Sequence, residues 1–331
     1  MKAFEYAGPT SVDDAVKLLG DSGSAEALSG GTDLLGRMKD YVSSPDRVVY
    51  LKDIKALAGV SGDPKGDGLT VGAGTTLAAL LDHKGVKASY PALWQAAFEV
   101  GTPQIKNMAT VGGNLLQRPR CWYYRAGNGL LAMKDGKSLV REGDNRYHAI
   151  FQTDGNALFV SPSSLAVALI ALGAKATIQG AKGERTVPVE DLYQVPKKDG
   201  DRELTVAPGE ILTRVVIPAA GGKNASYEAR QKQAHDWPLV LASVNLETDG
   251  DRVSKARVVI YGVAPTPWRS EAAEKAITGK AVSMETATAA GEAATEGAKP
   301  LSMNAYKVAL TKTVVKRALL AAVGNRYWEE V

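Results

Sequence analysis

The most informative stretch in the first part of this chain is Leu28-Ser29-Gly30-Gly31-Thr32-Asp33-Leu34. It places two adjacent glycines between a predicted strand and a predicted helix. Adjacent glycines permit positive φ angles and let a ligand approach the backbone without meeting a Cβ atom. Consecutive amide N–H groups in front of a helix N-terminus form a cradle that suits phosphate oxygens. This turn is therefore a candidate anion-binding site.

A second glycine pair follows about 80 residues later, in Ala109-Thr110-Val111-Gly112-Gly113-Asn114. Neither pair is followed by the Gly-Lys-Ser or Gly-Lys-Thr of the ATPase phosphate loop, and neither completes the Gly-x-Gly-x-x-Gly dinucleotide fingerprint. Taken separately, each pair is weak support for a ligand site, and an ordinary tight turn explains it as well. The order and separation of the two motifs carry more information than either motif alone.

Length and charge exclude several classes of protein. A chain of 331 residues suits two or three domains. The net charge of +4 is spread along the whole chain, unlike the clustered charge of a nucleic-acid-binding protein. No apolar run reaches the roughly 18 residues that span a bilayer. The first residues lack the basic and then apolar pattern of a secretory signal, so we expect no export signal in this chain.

Hydrophobic spacing predicts a mixed α+β chain. The first 50 or so residues read as a β-α-β-α-β unit whose first helix begins at the capping residues Thr10-Ser11. A helix over Leu165–Leu172 is followed by a strand, and Tyr306, Leu310 and Val314 repeat at helical spacing near the end. Residues 117–157 show no sustained period, and a loop of that length is usually functional. We expect a domain boundary near residue 220, at a Gly-Gly-Lys linker.

Together, the two glycine motifs resemble the two pyrophosphate-binding loops of the FAD-binding subunit of molybdenum hydroxylases. That family includes the medium subunit of carbon monoxide dehydrogenase, the flavin segment of xanthine dehydrogenase and the flavin subunit of bacterial aldehyde oxidoreductases. The resemblance covers essentially the whole chain and includes Ile105–Ala109, Pro208–Thr213 and Arg230–Lys232.

The resemblance implies the fold and its division. We expect an α+β chain with a two-subdomain FAD-binding fold of the p-cresol methylhydroxylase and vanillyl-alcohol oxidase type. A C-terminal α/β domain of the carbon monoxide dehydrogenase flavoprotein type would follow it. The FAD-binding domain would cover residues 1–220, with subdomains at about 1–55 and 56–220 and an insertion at about 117–157, and the C-terminal flavoprotein domain would cover residues 221–331.

The resemblance also implies which residues hold FAD, chiefly through backbone amides of the two loops. Ser164 stands where the family commonly has an aspartate that contacts the polyol of the cofactor. A serine cannot accept two hydrogen bonds as a carboxylate does, so this contact would be weakened by about 1–2 kcal/mol. The expected cofactor-binding residues are Leu28, Ser29, Gly30, Gly31, Thr32, Asp33, Leu34, Gly101, Thr110, Gly112, Gly113, Asn114, Gln117, Ser164 and Leu212.

The insertion resembles that of aldehyde oxidoreductase and hydroxybenzoyl-CoA reductase flavin subunits, in which four cysteines hold a four-iron four-sulfur cluster. This chain has one cysteine, Cys121, and the other three positions fall near Leu130, Ser138 and Ala157. We therefore expect no metal site. The alternatives are a cluster completed by His148 and Asp154, or by a partner chain. Three neighbouring arginines would lower the pKa of the Cys121 thiol.

No catalytic residue is expected in this chain, since its three histidines show no spacing typical of a zinc site or a Ser-His-Asp set. The resemblance implies an oxidoreductase component, closest to the aldehyde oxidoreductase type, that transfers electrons through FAD in a heterotrimer. A large subunit with molybdopterin would oxidise an aldehyde, a purine or a related substrate, and a small subunit with two-iron two-sulfur clusters would pass electrons to FAD. The external acceptor stays open.

Two other readings remain: a free-standing FAD-dependent oxidoreductase of the same fold, and a scaffold subunit with weak or no flavin. The expected location is the cytoplasm, or the periplasm if a partner with a twin-arginine signal exports the complex.

Overall fold

The computed structural model describes residues 1–232 and 234–329, as helices and strands mixed along the chain. The strands are β1 (Glu5–Ala7), β2 (Ala25–Leu28), β3 (Arg47–Tyr50), β4 (Val60–Asp63), β5 (Gly68–Gly72), β6 (Met133–Lys134), β7 (Lys137–Ser138), β8 (Lys175–Gly180), β9 (Gly183–Pro188), β10 (Ile211–Ile217), β11 (Lys223–Ala229), β12 (Val240–Asp249), β13 (Arg252–Tyr261) and β14 (Trp268–Arg269). The helices are α1 (Val12–Leu19), α2 (Leu34–Lys39), α3 (Leu77–Asp82), α4 (Lys84–Ser89), α5 (Pro91–Phe98), α6 (Pro103–Met108), α7 (Val111–Leu115), α8 (Trp122–Arg125), α9 (Leu139–Glu142), α10 (Ser164–Ala171), α11 (Glu271–Ile277), α12 (Met284–Ala293) and α13 (Tyr306–Ala322).

The first sheet is parallel, with strand order β1-β3-β2. Helix α1 begins where the Ser11 side chain accepts from the Asp14 N–H, and it ends at Gly20, whose φ of 56° suits glycine. Its buried face packs with Val49 and Ile54 in a small apolar cluster. The predicted β-α-β-α-β unit and its cap are confirmed. The first glycine turn leaves the carboxyl end of β2, the edge at which α/β folds commonly bind ligands.

The second sheet is antiparallel, with order β4-β5-β10-β8-β9, so that β10 pairs with β5 after a long excursion of the chain. Helix α10 is buried along all of its residues, in keeping with its apolar sequence after Ser164, and packs in the largest apolar core. The predicted helix and the strand after it are confirmed.

The third sheet, of order β11-β12-β13-β14, is also antiparallel. It packs with helices α11–α13 in a separate core. Helices α5 and α10 of the preceding region contact β11, β12 and β13. Among the described residues, no helix is both long and apolar enough to cross a membrane.

The insertion at residues 117–157 has a two-strand hairpin, β6-β7, and two single-turn helices, α8 and α9. Cys121 packs there with Leu130, Ala157 and Phe159 in an apolar cluster. The predicted irregular segment is thus mostly loop, but it has a packed interior of its own. The backbone N–H groups of Ile150 and Phe151 donate to the Val263 carbonyl, which fastens the insertion to the last region of the chain.

Candidate functional site

The first glycine turn presents a row of free donors. Within the described part of the chain, the backbone N–H groups of residues 29–33 have no hydrogen-bond acceptor. Gly31 has a φ of 74°, and a Cβ atom at Gly30 would lie 1.9 Å from the Met108 carbonyl oxygen. Glycine is therefore required at both positions. Such a row of N–H groups in front of a helix suits an anion.

The second glycine pair differs from the first, because it lies in the opening turn of α7 rather than in a loop. Thr110 caps this helix, and its Oγ1 accepts from the Gly113 N–H at 3.1 Å. The Gly112 N–H donates to the Ala73 carbonyl at 2.8 Å, so this amide is already used. Gly113 is open, since a Cβ atom there would meet only Thr110 Oγ1, at 3.0 Å. Ser29 Oγ and Thr110 Oγ1, 3.0 Å apart, join the two turns.

The two turns line one cavity of about 260 Å³. Apolar side chains, including Leu57 and Leu212, line part of its wall, and the Pro208-Gly209 turn closes another part. The cavity thus combines a polar cradle with an apolar surface, as small-molecule sites commonly do.

Asp33 joins the first turn to the insertion. Its carboxylate accepts from Arg125 Nη2 at 2.7 Å, from the Arg118 N–H at 3.1 Å and from Arg37 Nε at 3.3 Å, and Arg120 Nη2 lies 3.2 Å away. Burial opposes the charge, but the Arg120 and Arg125 guanidinium groups outweigh it and hold the pKa of Asp33 below its usual value. The side chain of Asp33 is therefore occupied by this chain's own cations, which leaves its N–H for a ligand.

Three arginines line the cavity. Arg37 Nη2 donates to Glu26 Oε2 at 2.6 Å, and Arg118 Nη2 donates to Glu203 Oε2 at 2.9 Å. The Nε atom of Arg202 is buried and has no partner among the described residues. Burial and the neighbouring Arg118 charge lower the pKa of Arg202. An anion in the cavity would relieve this repulsion.

Most of the expected cofactor-binding residues meet at this cavity, and three do not line it. Those on its wall are Leu28, Ser29, Gly30, Gly31, Thr32, Asp33, Leu34, Thr110, Gly112, Gly113, Gln117 and Leu212. Gly101 lies elsewhere, with its carbonyl 3.3 Å from His235 Nδ1. Asn114 is buried, and its Oδ1 accepts from Ser163 Oγ at 2.8 Å. Ser164 is the first residue of helix α10 and directly follows Ser163 in sequence.

The arginines of the cavity wall are not among the cofactor-binding residues predicted from the sequence. Arg37 could have been found, because it stands one helical turn after Asp33 on α2. Arg118 and Arg202 gave no such signal, since only the fold brings Arg118 to its partner Glu203 and to the neighbouring Arg202.

Cys121 lies in a different setting from the one expected. Its Sγ is 3.2 Å from His148 Nε2, and burial raises the pKa of the thiol. The expected lowering by arginines is wrong, because Arg118 and Arg125 turn to Glu203 and Asp33. Burial, followed by the nearby Lys307 charge, lowers the pKa of His148 to about 4. The pair is therefore a neutral thiol beside a neutral imidazole at pH 7.

Within the described residues, no group of three or more His, Cys, Asp or Glu side chains could hold a metal ion. The expectation of no iron cluster in this chain stays a prediction for the assembled protein.

Comparison with known proteins agrees with this geometry. Residues 2–220 match the family described as the FAD binding domain in molybdopterin dehydrogenase, and residues 225–322 match the CO dehydrogenase flavoprotein C-terminal domain. The chain is similar to the aldehyde oxidoreductase FAD-binding subunit of Escherichia coli, with 29% identity over 97% of this chain and 99% of that protein. It is 30% identical to the carbon monoxide dehydrogenase medium chain of Hydrogenophaga pseudoflava, over 96% of each chain.

Solved structures show the same fold. The carbon monoxide dehydrogenase of Hydrogenophaga pseudoflava, in a form that lacks the Mo-pyranopterin moiety of its cofactor, superposes with a TM-score of 0.76 at 28% identity. The superposition covers 97% of this chain and 97% of that one.

Proposed function

The chain belongs to the family of FAD-binding subunits of molybdenum hydroxylases, and we propose that it binds FAD in the cavity between the two glycine turns. The observation that carries this proposal is the row of unpaired N–H groups at residues 29–33, which faces a cavity that arginines line. A diphosphate matches both features, since it accepts hydrogen bonds and carries negative charge.

In the proposed site, the amides of the first turn hold the diphosphate from one side. The second turn approaches it at Gly113, whose N–H already donates to Thr110 Oγ1 and which has no side chain to fill the space. Arg118 and Arg202 add positive charge at the wall. Leu57 and Leu212 offer apolar surface to a ring of the cofactor. Leu28 to Leu34, Thr110, Gly112 and Gln117 complete the site, and Gly101, Asn114 and Ser164 would contribute from outside this cavity.

FAD, when bound, supplies the ability to take electrons one at a time and release two. The chain's own residues orient the cofactor and keep it in place. The Ser29–Thr110 hydrogen bond fixes the spacing of the two turns, and Asp33 ties the first turn to the insertion. These contacts set where the cofactor sits relative to any partner.

We further propose that the chain transfers electrons within a heterotrimer. Its partners would be a large subunit with molybdopterin and a small subunit with two-iron two-sulfur clusters. The relatives described as medium chains or medium subunits support a place in a complex of several subunits. The complex would act in the cytoplasm, or in the periplasm if a partner carries it across the membrane.

A single methyl group tests the FAD site. In Gly113→Ala, the added Cβ projects into the cavity and meets only Thr110 Oγ1. We expect the purified variant to lose most of its flavin absorbance while its thermal unfolding without FAD stays unchanged. The matched control is Gly36→Ala, because an added Cβ there meets nothing within 4 Å. Full flavin content in Gly113→Ala would show that FAD binds elsewhere.

A further inference from the structure

A second cavity of about 220 Å³ lies where the insertion meets the last region of the chain. Arg120, Trp122 and Tyr147 of the insertion line it from one side, and Trp237 and Tyr261 line it from the other. Among the described residues, it shares no lining residue with the first cavity. We propose that this second cavity binds a planar aromatic compound with carbonyl-type acceptors, of which a quinone is the simplest case.

Its walls suit a flat ring. The Trp122 and Tyr147 rings meet edge to face with centroids 5.5 Å apart. The Arg120 guanidinium lies 5.0 Å from the Trp237 ring centroid on the other side. Phe159 and Tyr261 also line the cavity and are buried. Aromatic rings favour stacked or edge-to-face partners, so a planar ligand gains more here than a branched one.

Its polar groups select a ligand that accepts hydrogen bonds. Arg120 Nε is buried and has no acceptor within the described part of the chain. The two carboxylate oxygens of Asp236 already accept from the Lys232 and Trp237 N–H groups. Lys307 Nζ already donates to three backbone carbonyls. The unsatisfied group is a donor, and a carbonyl oxygen is the partner that it lacks.

His148, which is 2% exposed, adds a second such group at the same cavity. Its Nδ1 is buried without a partner in the described structure, while its Nε2 lies beside Cys121 Sγ. If Nε2 accepts from the thiol, Nδ1 carries the ring proton and is a donor. Two residues with an unpartnered side-chain nitrogen, Arg120 and His148, thus line the same cavity as the aromatic side chains.

Arg120 stands between the two cavities. Its Nη2 lies 3.1 Å from Gln117 Oε1 and 3.2 Å from Asp33 Oδ1, both on the wall of the first cavity. The face of its guanidinium group that lies over the Trp237 ring borders the second cavity. The inference rests on the proposed function only where it makes the bound quinone an electron acceptor. Its two-electron, two-proton reduction to the hydroquinone would balance the return of FADH2 to FAD.

The test is a titration of the purified full chain, with and without added FAD, by quenching of tryptophan fluorescence. The probe is 2,3-dimethyl-1,4-naphthoquinone, whose substituted ring cannot add the Cys121 thiol. A parallel titration uses 2-naphthoate, a flat carboxylate that cannot act as an oxidant. Trp237→Ala should weaken binding about tenfold, in line with the loss of one stacking partner. Phe98→Ala removes an aromatic side chain of similar exposure outside the cavity and should change nothing.

Equal affinity for the quinone with and without FAD, together with about tenfold weaker binding in Trp237→Ala, supports the proposal. Tighter binding of 2-naphthoate than of the quinone also supports a site for planar aromatic hydrogen-bond acceptors, and it identifies an aromatic acid as the ligand. Unchanged affinity in Trp237→Ala, or displacement of the quinone by FAD, overturns it. Flavin absorbance in the same samples reports on the FAD site separately, so a failure of one idea is distinguishable from a failure of the other.

Discussion

Asp33 Oδ1 accepts a hydrogen bond from Arg125 Nη2 at 2.7 Å, across 92 residues of sequence. This contact, with those of Arg118 and Arg120, joins the first glycine turn to the insertion. The Asp33 carboxylate therefore stabilises the wall of the cavity. The backbone amide of the same residue is expected to bind the cofactor.

Asp33→Asn should destabilise the chain, because it leaves mostly buried guanidinium groups without their shared anion. We expect a loss of about 3 kcal/mol in the free energy of unfolding, measured by urea denaturation. Flavin content should fall as well. Asp40→Asn, an exposed change at the end of the same helix, is the control. An Asp33→Asn protein as stable as the control would contradict the role of the carboxylate.

Gly30→Ala should act differently from Gly113→Ala. The new Cβ at residue 30 would lie 1.9 Å from the Met108 carbonyl oxygen, so the backbone must shift. We expect a cost of about 1–3 kcal/mol in stability even without FAD, as for other overpacked sites. Thermal unfolding of the FAD-free proteins measures this. Equal melting temperatures for the two variants would argue against the close approach.

Lys307→Met should loosen the insertion. Lys307 is 1% exposed, and its Nζ donates to the carbonyls of Tyr147, His148 and Gly262 at 2.7–3.0 Å. Without this donor the Tyr147 and Gly262 carbonyls lose their partner, while the His148 carbonyl keeps Asn304 Nδ2. The expected cost is about 1–3 kcal/mol. Limited proteolysis should then cut within residues 117–157 faster than in the parent protein. Lys312→Met, on an exposed position of the same helix, should leave the digestion pattern unchanged.

Glu228 should make stability fall as pH rises. Burial and the Glu99 carboxylate raise the pKa of Glu228 to about 7 against an ordinary value of 4.5, despite its contact with Arg230. Between these pH values the folded chain holds a proton that the unfolded chain has released, so raising the pH favours unfolding.

The Glu228→Gln variant lacks this contribution to the pH dependence of the free energy of unfolding. Its stability relative to the parent should therefore grow from about pH 5 to about pH 8, by on the order of 1–3 kcal/mol. Urea denaturation at both pH values gives the difference. Glu247→Gln, on an exposed residue of strand β12, supplies the comparison. Parallel pH profiles for the parent and Glu228→Gln would refute the prediction.

Cys121 should react slowly with iodoacetamide, because the thiolate is the reactive form and burial raises the pKa of this thiol. We expect labelling near pH 8 to be at least about tenfold slower in the folded chain than in urea. A protein that combines Cys121→Ser with Ser61→Cys carries an exposed thiol for reference. Labelling of Cys121 as fast as that exposed thiol would overturn the prediction.

Local sequence rules predicted the parts of the fold that depend on local chemistry. Ser11 and Gly20 mark the ends of α1, and the glycine pair at residues 30 and 31 lies between a strand and a helix as expected. These features follow from side-chain caps and permitted φ angles, which neighbouring residues determine. Helix α10, apolar after Ser164, was likewise predictable as a buried helix.

Long-range pairing could not be predicted in the same way. The sequence around Asp33 does not indicate that Arg125 is its partner, and the sequence around Arg118 does not indicate Glu203. The pKa of Cys121 was predicted with the wrong sign for this reason, since its neighbouring arginines turn to carboxylates that the fold supplies. Neighbours in sequence set the charge nearby, but the fold decides which group that charge faces.

The packing of Cys121 with Leu130, Ala157 and Phe159 has a consequence for the biogenesis of the protein. A segment whose interior is hydrocarbon closes by the same hydrophobic collapse as the rest of the chain. On the prediction that this chain holds no iron–sulfur cluster, folding of the insertion would not require delivery of one. Its final shape would then be independent of iron supply.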